Sequence, residues 1–177
     1  MKKLALTDFA KYRYPSALEL SPDGRYLTFA LKDVDREGDG YRWNLWLYDL
    51  ERRESRQITR GDDQRKAVWE DNTHILYKTT ELDEALRARG FEEEWTVYHR
   101  LNVCTGEDRE AFRLPMSVSG LWKMDEGRYV FTGETHLDRP NLLELTGEAL
   151  EKELVRRQQT RGYKVLTELP LCENGVG

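Results

Sequence analysis

A four-strand pattern recurs along the chain with a period of about 50 residues, and this repeat restricts the fold more than any other feature. Short segments of alternating apolar and polar residues are separated by turns rich in Gly, Pro, Asp and Asn. When the turns are aligned, Leu27, Ile75 and Val130 occupy equivalent positions in three successive units. A period of about 40–50 residues with four strands in each unit is typical of the blades of a β-propeller.

The first unit shows the pattern most clearly. Ala17–Leu20 leads into the turn Ser21-Pro22-Asp23-Gly24, and Arg25–Leu31 follows as a second strand. Pro sets the φ angle that the turn requires, and Gly supplies the positive φ that closes it. The aromatic-rich segment Trp43–Leu50 and the polar segment Ser55–Thr59 complete the unit as its third and fourth strands.

We therefore predict an all-β fold, a partial β-propeller of about two and a half four-stranded blades with one inserted surface helix. All of it belongs to one incomplete amino-terminal propeller domain, residues 1–177. The predicted bounds are 16–59 for blade one, 67–115 for blade two and 118–177 for the partial blade three.

Blade three departs from the repeat after its first two strands. Residues 141–145 are predicted as a strand, residues 147–160 as a helix with a narrow apolar stripe, and residues 163–166 as a further strand. In blade two, residues 82–89 before Gly90 are consistent with either a short helix or an ordered loop.

Composition excludes several classes of protein. Aromatic residues make up 11% of the chain, which argues against disorder, and the net charge of -5 argues against a nucleic-acid partner. No apolar run approaches the roughly 18 residues of a membrane span, and the apolar stretch after Lys3 is too short for a signal peptide. Cys104 and Cys172 have no metal-binding or redox spacing, so we expect a reduced, cytoplasmic protein.

Several segments resemble one family. Ser21–Phe29 resembles the SPDG element in propellers of prolyl oligopeptidase-family serine peptidases, an element that TolB-type propellers share. Asn44–Asp49 with Arg56–Thr59 resembles the hairpin that ends such a blade. A further series looks like the bacterial acylaminoacyl-peptidase and dipeptidyl-peptidase branch: Glu94–Tyr98, Thr105–Glu107, Phe112–Pro115, Glu168–Pro170 and Asn174-Gly175.

This resemblance implies one part of a two-domain enzyme. In the family, a propeller sits over a carboxyl-terminal α/β-hydrolase domain that carries a Ser-Asp-His triad, and the propeller restricts access to short peptides. The present chain ends inside the propeller, so we expect an amino-terminal fragment without the catalytic domain. Its expected partners are short peptides, through the complete parent enzyme, and that hydrolase domain. The alternative is a non-catalytic binding scaffold of the TolB or WD40-like kind.

The sequence itself offers no catalytic machinery. None of its five serines has the Gly-x-Ser-x-Gly flanking of a nucleophile elbow. His99 and Cys104 lie five positions apart on a strand, which favours opposite faces over a Cys-His pair. The acidic segment Asp33–Gly40 resembles half of a calcium loop, but Asn44 stands where the bidentate Glu belongs. We therefore predict no catalytic residue, no cofactor and no metal site in this chain.

Glu93 and Glu94 are the candidate substrate-binding residues. Dipeptidyl peptidases of the resembled family hold the substrate's free amino group with a pair of propeller glutamates, and carboxylates bind ammonium through charge-assisted hydrogen bonds. Here the acids precede Trp95, whereas the dipeptidyl motif has its aromatics first. The alternative is a solvated start of a strand. For the five tryptophans, packing between blades is favoured over ligand stacking.

Overall fold

The computed structural model describes residues 11–35, 40–125, 127–135 and 139–160. The chain divides into two compact units, Met1–Thr135 and His136–Gly177. Some predictions fall outside the described residues: the strand at 163–166, the centre of the acidic loop at 36–39, and the family-like segments near the carboxyl end.

The first unit contains ten strands in three antiparallel sheets. In each sheet the strands pair in chain order. The first sheet consists of β1 (Tyr14–Leu20), β2 (Tyr26–Asp35), β3 (Gly40–Asp49) and β4 (Glu54–Gln57). The second consists of β5 (Ala67–Trp69), β6 (His74–Leu82), β7 (Glu94–Asn102) and β8 (Asp108–Leu114), and a hairpin of β9 (Ser117–Asp125) and β10 (Arg128–Glu134) follows. Two four-stranded sheets and a hairpin confirm the predicted partial β-propeller.

The turn between β1 and β2 forms as its residues predict. Ser21 is buried, and its Oγ donates to Asp23 Oδ1 at 2.7 Å and accepts from the Tyr26 amide at 2.9 Å. Gly24 adopts a φ of 75°, which a residue with a side chain adopts only under strain. The motif therefore specifies a closed, hydrogen-bonded turn.

The sheets stack face to face, and β6 shows why. Ile75 and Tyr77 belong to a core that includes Ala30, Leu45 and Leu47 of the first sheet. Leu76, between them, belongs to a second core with Val118 and Leu121 of the hairpin. Because successive side chains on a strand point to opposite faces, the second sheet contributes to a core on each side.

A buried carboxylate links the second sheet to the hairpin. Glu70 accepts two hydrogen bonds from the Arg100 guanidinium, at 2.5 and 2.6 Å, and one from the Tyr129 hydroxyl at 2.5 Å. Lys123 Nζ donates to the Glu70 backbone carbonyl. Burial opposes ionisation of Glu70, but the hydrogen bonds from Arg100 and Tyr129 outweigh it and hold the pKa of this carboxyl below its ordinary value. Burial, with the Glu70 contact, raises the pKa of Tyr129 to about 12.

The second unit is helical in its described part, residues 139–160. A short 3-10 helix spans Leu142–Glu144, so the predicted strand at 141–145 is wrong. The Asn141 side chain accepts from the Leu143 amide at 3.0 Å, and this cap favours a helical turn over an extended chain. The predicted helix is present as α2 (Gly147–Thr160), and most of its residues are exposed. Of its apolar stripe, Leu154 is buried whereas Val155 is exposed.

We expect Glu70→Gln to lower the free energy of unfolding by about 1–3 kcal/mol at pH 7, because Arg100 loses its carboxylate partner. Since the folded state lowers the Glu70 pKa, the carboxylate's contribution is present above its ordinary pKa of 4.5 and is lost as the pH falls through the folded-state value. The difference between wild type and variant should therefore shrink in acid. Urea unfolding at several pH values measures it.

The matched control is Glu148→Gln, which removes an exposed ion pair between Glu148 and Lys152 on α2. This variant should unfold like the wild type. Equal stability of Glu70→Gln and wild type at pH 7 would contradict the assigned role of Glu70.

Candidate functional site

The most distinctive recess of the first unit lies where the first strands of the three sheets adjoin. β1 contacts β5, and β5 contacts β9. Blades of a propeller surround a central channel, and this convergence of first strands marks the side of the sheets nearest to it. A pocket of about 220 Å³ opens there, which we call the inner-strand pocket. Its lining residues are Glu19, Leu20, Lys66, Ala67, Val68, Trp69, Leu121, Trp122 and Lys123.

The inner-strand pocket combines both charges with an open aromatic surface. Lys66 Nζ lies 3.6 Å from Glu19 Oε1 and 5.5 Å from the centre of the Trp122 ring. The side chain of Trp122 is 47% exposed and that of Leu20 is 54% exposed. A carboxylate, an ammonium and two apolar surfaces are the groups that recognise the charged ends and the apolar side chains of a short peptide.

Contacts behind the pocket hold its walls in place. The Glu19 carbonyl accepts from Trp69 Nε1 at 3.1 Å and from Thr28 Oγ1 at 3.2 Å. Lys123 is held by its hydrogen bond to the Glu70 carbonyl. Because Lys66 meets its Glu19 partner at the surface, its ammonium is the pocket cation that can exchange partners most easily.

Glu93 and Glu94 lie elsewhere, at the connection between β6 and β7. That connection contains the short helix α1 (Glu84–Arg87), which resolves the choice between helix and loop. The Asp83 side chain caps α1 by accepting from the Leu86 amide at 3.0 Å, and the Asp83 amide donates to the Glu93 carbonyl at 2.9 Å. Glu94 begins β7 opposite Leu82. Both glutamates are half-buried, and neither lines the inner-strand pocket.

A second pocket, of about 340 Å³, lies between the outer part of the first sheet and the turn that joins β7 to β8. Its lining residues are Tyr26, Leu47, Asp49, Arg52, Glu54, Ser55, Arg56, Val103 and Cys104. Cys104 is an exposed free cysteine, and its Sγ lies 3.8 Å from the Tyr26 hydroxyl. Burial raises the pKa of Tyr26, and the contact with Cys104 adds to this effect.

The structure does not bring His99 and Cys104 together as a catalytic pair. His99 stacks on Tyr77, with ring centres 5.2 Å apart, and its Nε2 lies 3.0 Å from Thr79 Oγ1. Cys104 instead occupies the turn after β7. Alternation along the strand therefore predicted this separation correctly.

Sequence reasoning missed the inner-strand pocket. Trp69 is buried in the core, as the packing interpretation predicted, but Trp122 presents an open face beside Lys66. The sequence signal was limited to strand alternation around these tryptophans. The meeting of positions 19, 66 and 122 arises only when the sheets stack.

Two searches of the described residues returned nothing. No group of three or more His, Cys, Asp or Glu side chains within them is arranged to hold a metal ion. None of the helices in that part of the chain has the length and apolarity needed to cross a membrane. Of the acidic segment, Asp35 and Gly40 pair as the last residues of the β2–β3 ladder, and residues 36–39 lie outside the description.

No protein-family model matches the chain, and no curated protein matches it. Among solved structures, it is similar to the β-propeller domain of the Trilobed protease from Pyrococcus furiosus, described as having an open velcro topology. That match has 15% identity and a TM-score of 0.47, and covers 70% of this chain and 34% of the other. The apo form of the isopeptidase AtxE2 matches with 15% identity and a TM-score of 0.48, over 86% of this chain and 24% of the other.

The chain thus spans about a third and a quarter of the lengths of these two structures. Neither similarity assigns it to a family. The class of its fold follows from its own sheets, which are antiparallel, four-stranded and stacked in chain order.

We expect Cys104 to react with a thiol reagent in the folded protein about as fast as in the unfolded chain, because its side chain is exposed. A Cys172→Ser variant isolates this reaction, and Cys104→Ser is the matched control. Protection of Cys104 that disappears in urea would contradict the position of the turn.

Proposed function

We propose that this chain is part of the propeller of a prolyl oligopeptidase-family serine peptidase, in the acylaminoacyl-peptidase and dipeptidyl-peptidase branch. Its role is to admit short peptides to an α/β-hydrolase domain outside these 177 residues. The motif series from Ser21 to Pro115 supports the family, and the stacked four-stranded sheets support the propeller. An exposed free thiol at Cys104 supports a cytoplasmic location, because reducing compartments preserve such thiols.

The inner-strand pocket is the observation that carries this proposal. It lies on the side of the sheets where a propeller has its channel, and it joins an ion pair to an open indole face. An extended peptide places its side chains on alternate sides, so one residue packs on Trp122 while a terminal charge meets Lys66 or Glu19. The pocket volume of about 220 Å³ limits this contact to one or two residues of a short peptide.

We expect Trp122→Ala to weaken binding of a short apolar peptide about tenfold, because the peptide loses its aromatic platform. Calorimetry with a free tripeptide such as Ala-Ala-Phe measures the dissociation constant. The control is Met124→Ala, which removes an exposed apolar side chain from the same strand without altering the pocket lining. Equal losses in both variants would contradict a specific role for Trp122.

Glu93 and Glu94 are proposed to anchor the amino group of a peptide. The resemblance to dipeptidyl peptidases and the half-buried position of both carboxylates support this assignment. A carboxylate that is partly shielded from water binds an ammonium more strongly than a fully exposed one. The site is proposed to act in the complete propeller, at the β6–β7 connection.

We expect the double variant Glu93→Gln, Glu94→Gln to reduce the preference for a free-amine peptide over its acetylated form about threefold to tenfold. The two peptides differ only in the charge at the amino end, so the ratio of their dissociation constants isolates this contact. Glu92→Gln is the matched control, because Glu92 is adjacent and exposed. An unchanged ratio in the double variant would show that the glutamates belong to a solvated start of β7.

The second candidate function is a non-catalytic binding scaffold of the TolB or WD40-like kind. The absence of a Gly-x-Ser-x-Gly elbow from the sequence favours it. The coding DNA beyond codon 177 distinguishes the two. A frame that continues through further blades to a nucleophile elbow, followed by Asp and His, supports the peptidase. Further blades alone support the scaffold.

A further inference from the structure

The outer edge of β10 is open among the described residues. β10 pairs with β9 and with no other described strand, whereas β4 and β8 lie at the outer ends of complete four-stranded sheets. Both irregularities of the β9–β10 ladder skip residues of β9, namely Met124 and Ser119. β10 therefore runs without interruption over seven residues and presents a regular row of backbone donors and acceptors.

The composition of β10 differs from that of the two outer strands. β4 reads Glu-Ser-Arg-Gln, and β8 begins Asp-Arg-Glu, so both carry the charges that discourage edge pairing. In β10 the charges stand only at the two ends, at Arg128 and Glu134. Its centre carries Val130 and Phe131, which are 48% and 42% exposed. The strand thus has the composition of one that another strand covers.

The sequence of β10 is complementary to itself in antiparallel register. When two copies are aligned about Phe131, each charged end of one strand meets the opposite charge of the other. The facing pairs are Arg128 with Glu134, Tyr129 with Gly133, Val130 with Thr132, and Phe131 with Phe131. Opposite charges and aromatic or β-branched residues in facing positions are the pairs that stabilise an antiparallel ladder.

We propose that β10 pairs antiparallel with β10 of a second copy of this chain, in the register centred on Phe131. The pairing joins two hairpins into one sheet with the order β9-β10-β10-β9. This sheet has four strands, as do the two complete sheets of the chain. The interface is two-fold symmetric, so it closes as a dimer and does not propagate.

The end charges are available for this contact. Arg128 Nε donates to Asp125 Oδ1 at 2.7 Å, and a second guanidinium nitrogen also contacts Asp125. A guanidinium has five N–H donors, so donors remain for Glu134 of the second copy. Glu134 and Arg128 are both exposed. The inference concerns the 177-residue chain and does not depend on the proposed peptidase function.

The test is the solution mass of the full chain over a range of concentrations, by sedimentation velocity. The wild type should be a dimer that dissociates on dilution. Phe131→Lys places two ammonium groups opposite each other and should leave a monomer with unchanged circular dichroism. Arg109→Glu, a charge reversal on the exposed β8 edge, is the control and should remain a dimer.

A charge exchange tests the register itself. Arg128→Glu and Glu134→Arg each place like charges opposite one another and should raise the dimer dissociation constant about tenfold. The double variant restores opposite charges in the same register and should recover dimerisation. Failure of the double variant to recover, while both single variants weaken the dimer, would overturn this register.

The remaining outcomes overturn the proposal. A monodisperse wild-type monomer excludes the dimer, and slow hydrogen exchange at the β10 amides in that monomer would show that the chain's own residues cover the edge. Large aggregates that persist in Phe131→Lys would show association through another surface. A dimer that persists in Phe131→Lys would place the interface elsewhere on the chain.

Discussion

The two apolar faces of the second sheet impose the arrangement of the whole first unit. Alternation on β6 sends Ile75 and Tyr77 to one side and Leu76 to the other, so a single covering layer cannot bury them all. The first sheet covers one face and the β9–β10 hairpin covers the other. A stack of sheets in chain order is the result, and it is the way in which propeller blades bury their faces.

Stacking also produces the polar contacts that join the layers. Glu70, from the turn after β5, meets Arg100 of β7 and Tyr129 of β10 in one network. A buried carboxylate is tolerated because each of these contacts compensates part of its lost hydration. The network therefore adds orientation to an interface whose stability comes from the burial of apolar surface.

The same arrangement gathers the groups of the candidate site. The first strands converge, and their convergence places the Glu19–Lys66 ion pair beside the open face of Trp122. These groups are suited to recognising peptides and include no nucleophile with a base. The proposed role in admission and the proposed absence of chemistry in this chain are thus consistent with each other. The β10 edge follows from the same stack, because the hairpin covers the second sheet with two strands.

Local signals in the chain specify its strands, its turns and α2. Alternation and turn chemistry act over a few residues, so the Ser21–Gly24 turn and the four-strand repeat were predictable from the sequence. The prediction for residues 141–145 was wrong because a side-chain cap at Asn141 competes with an apolar pattern too short to distinguish strand from helix.

Tertiary structure decided which distant residues meet. Positions 19, 66 and 122 form one pocket, and positions 70, 100 and 129 form one network, because whole sheets stack at particular offsets. No local pattern encodes those offsets. They depend on how the side chains of two faces interdigitate, which is a property of the packed layers and not of any single strand.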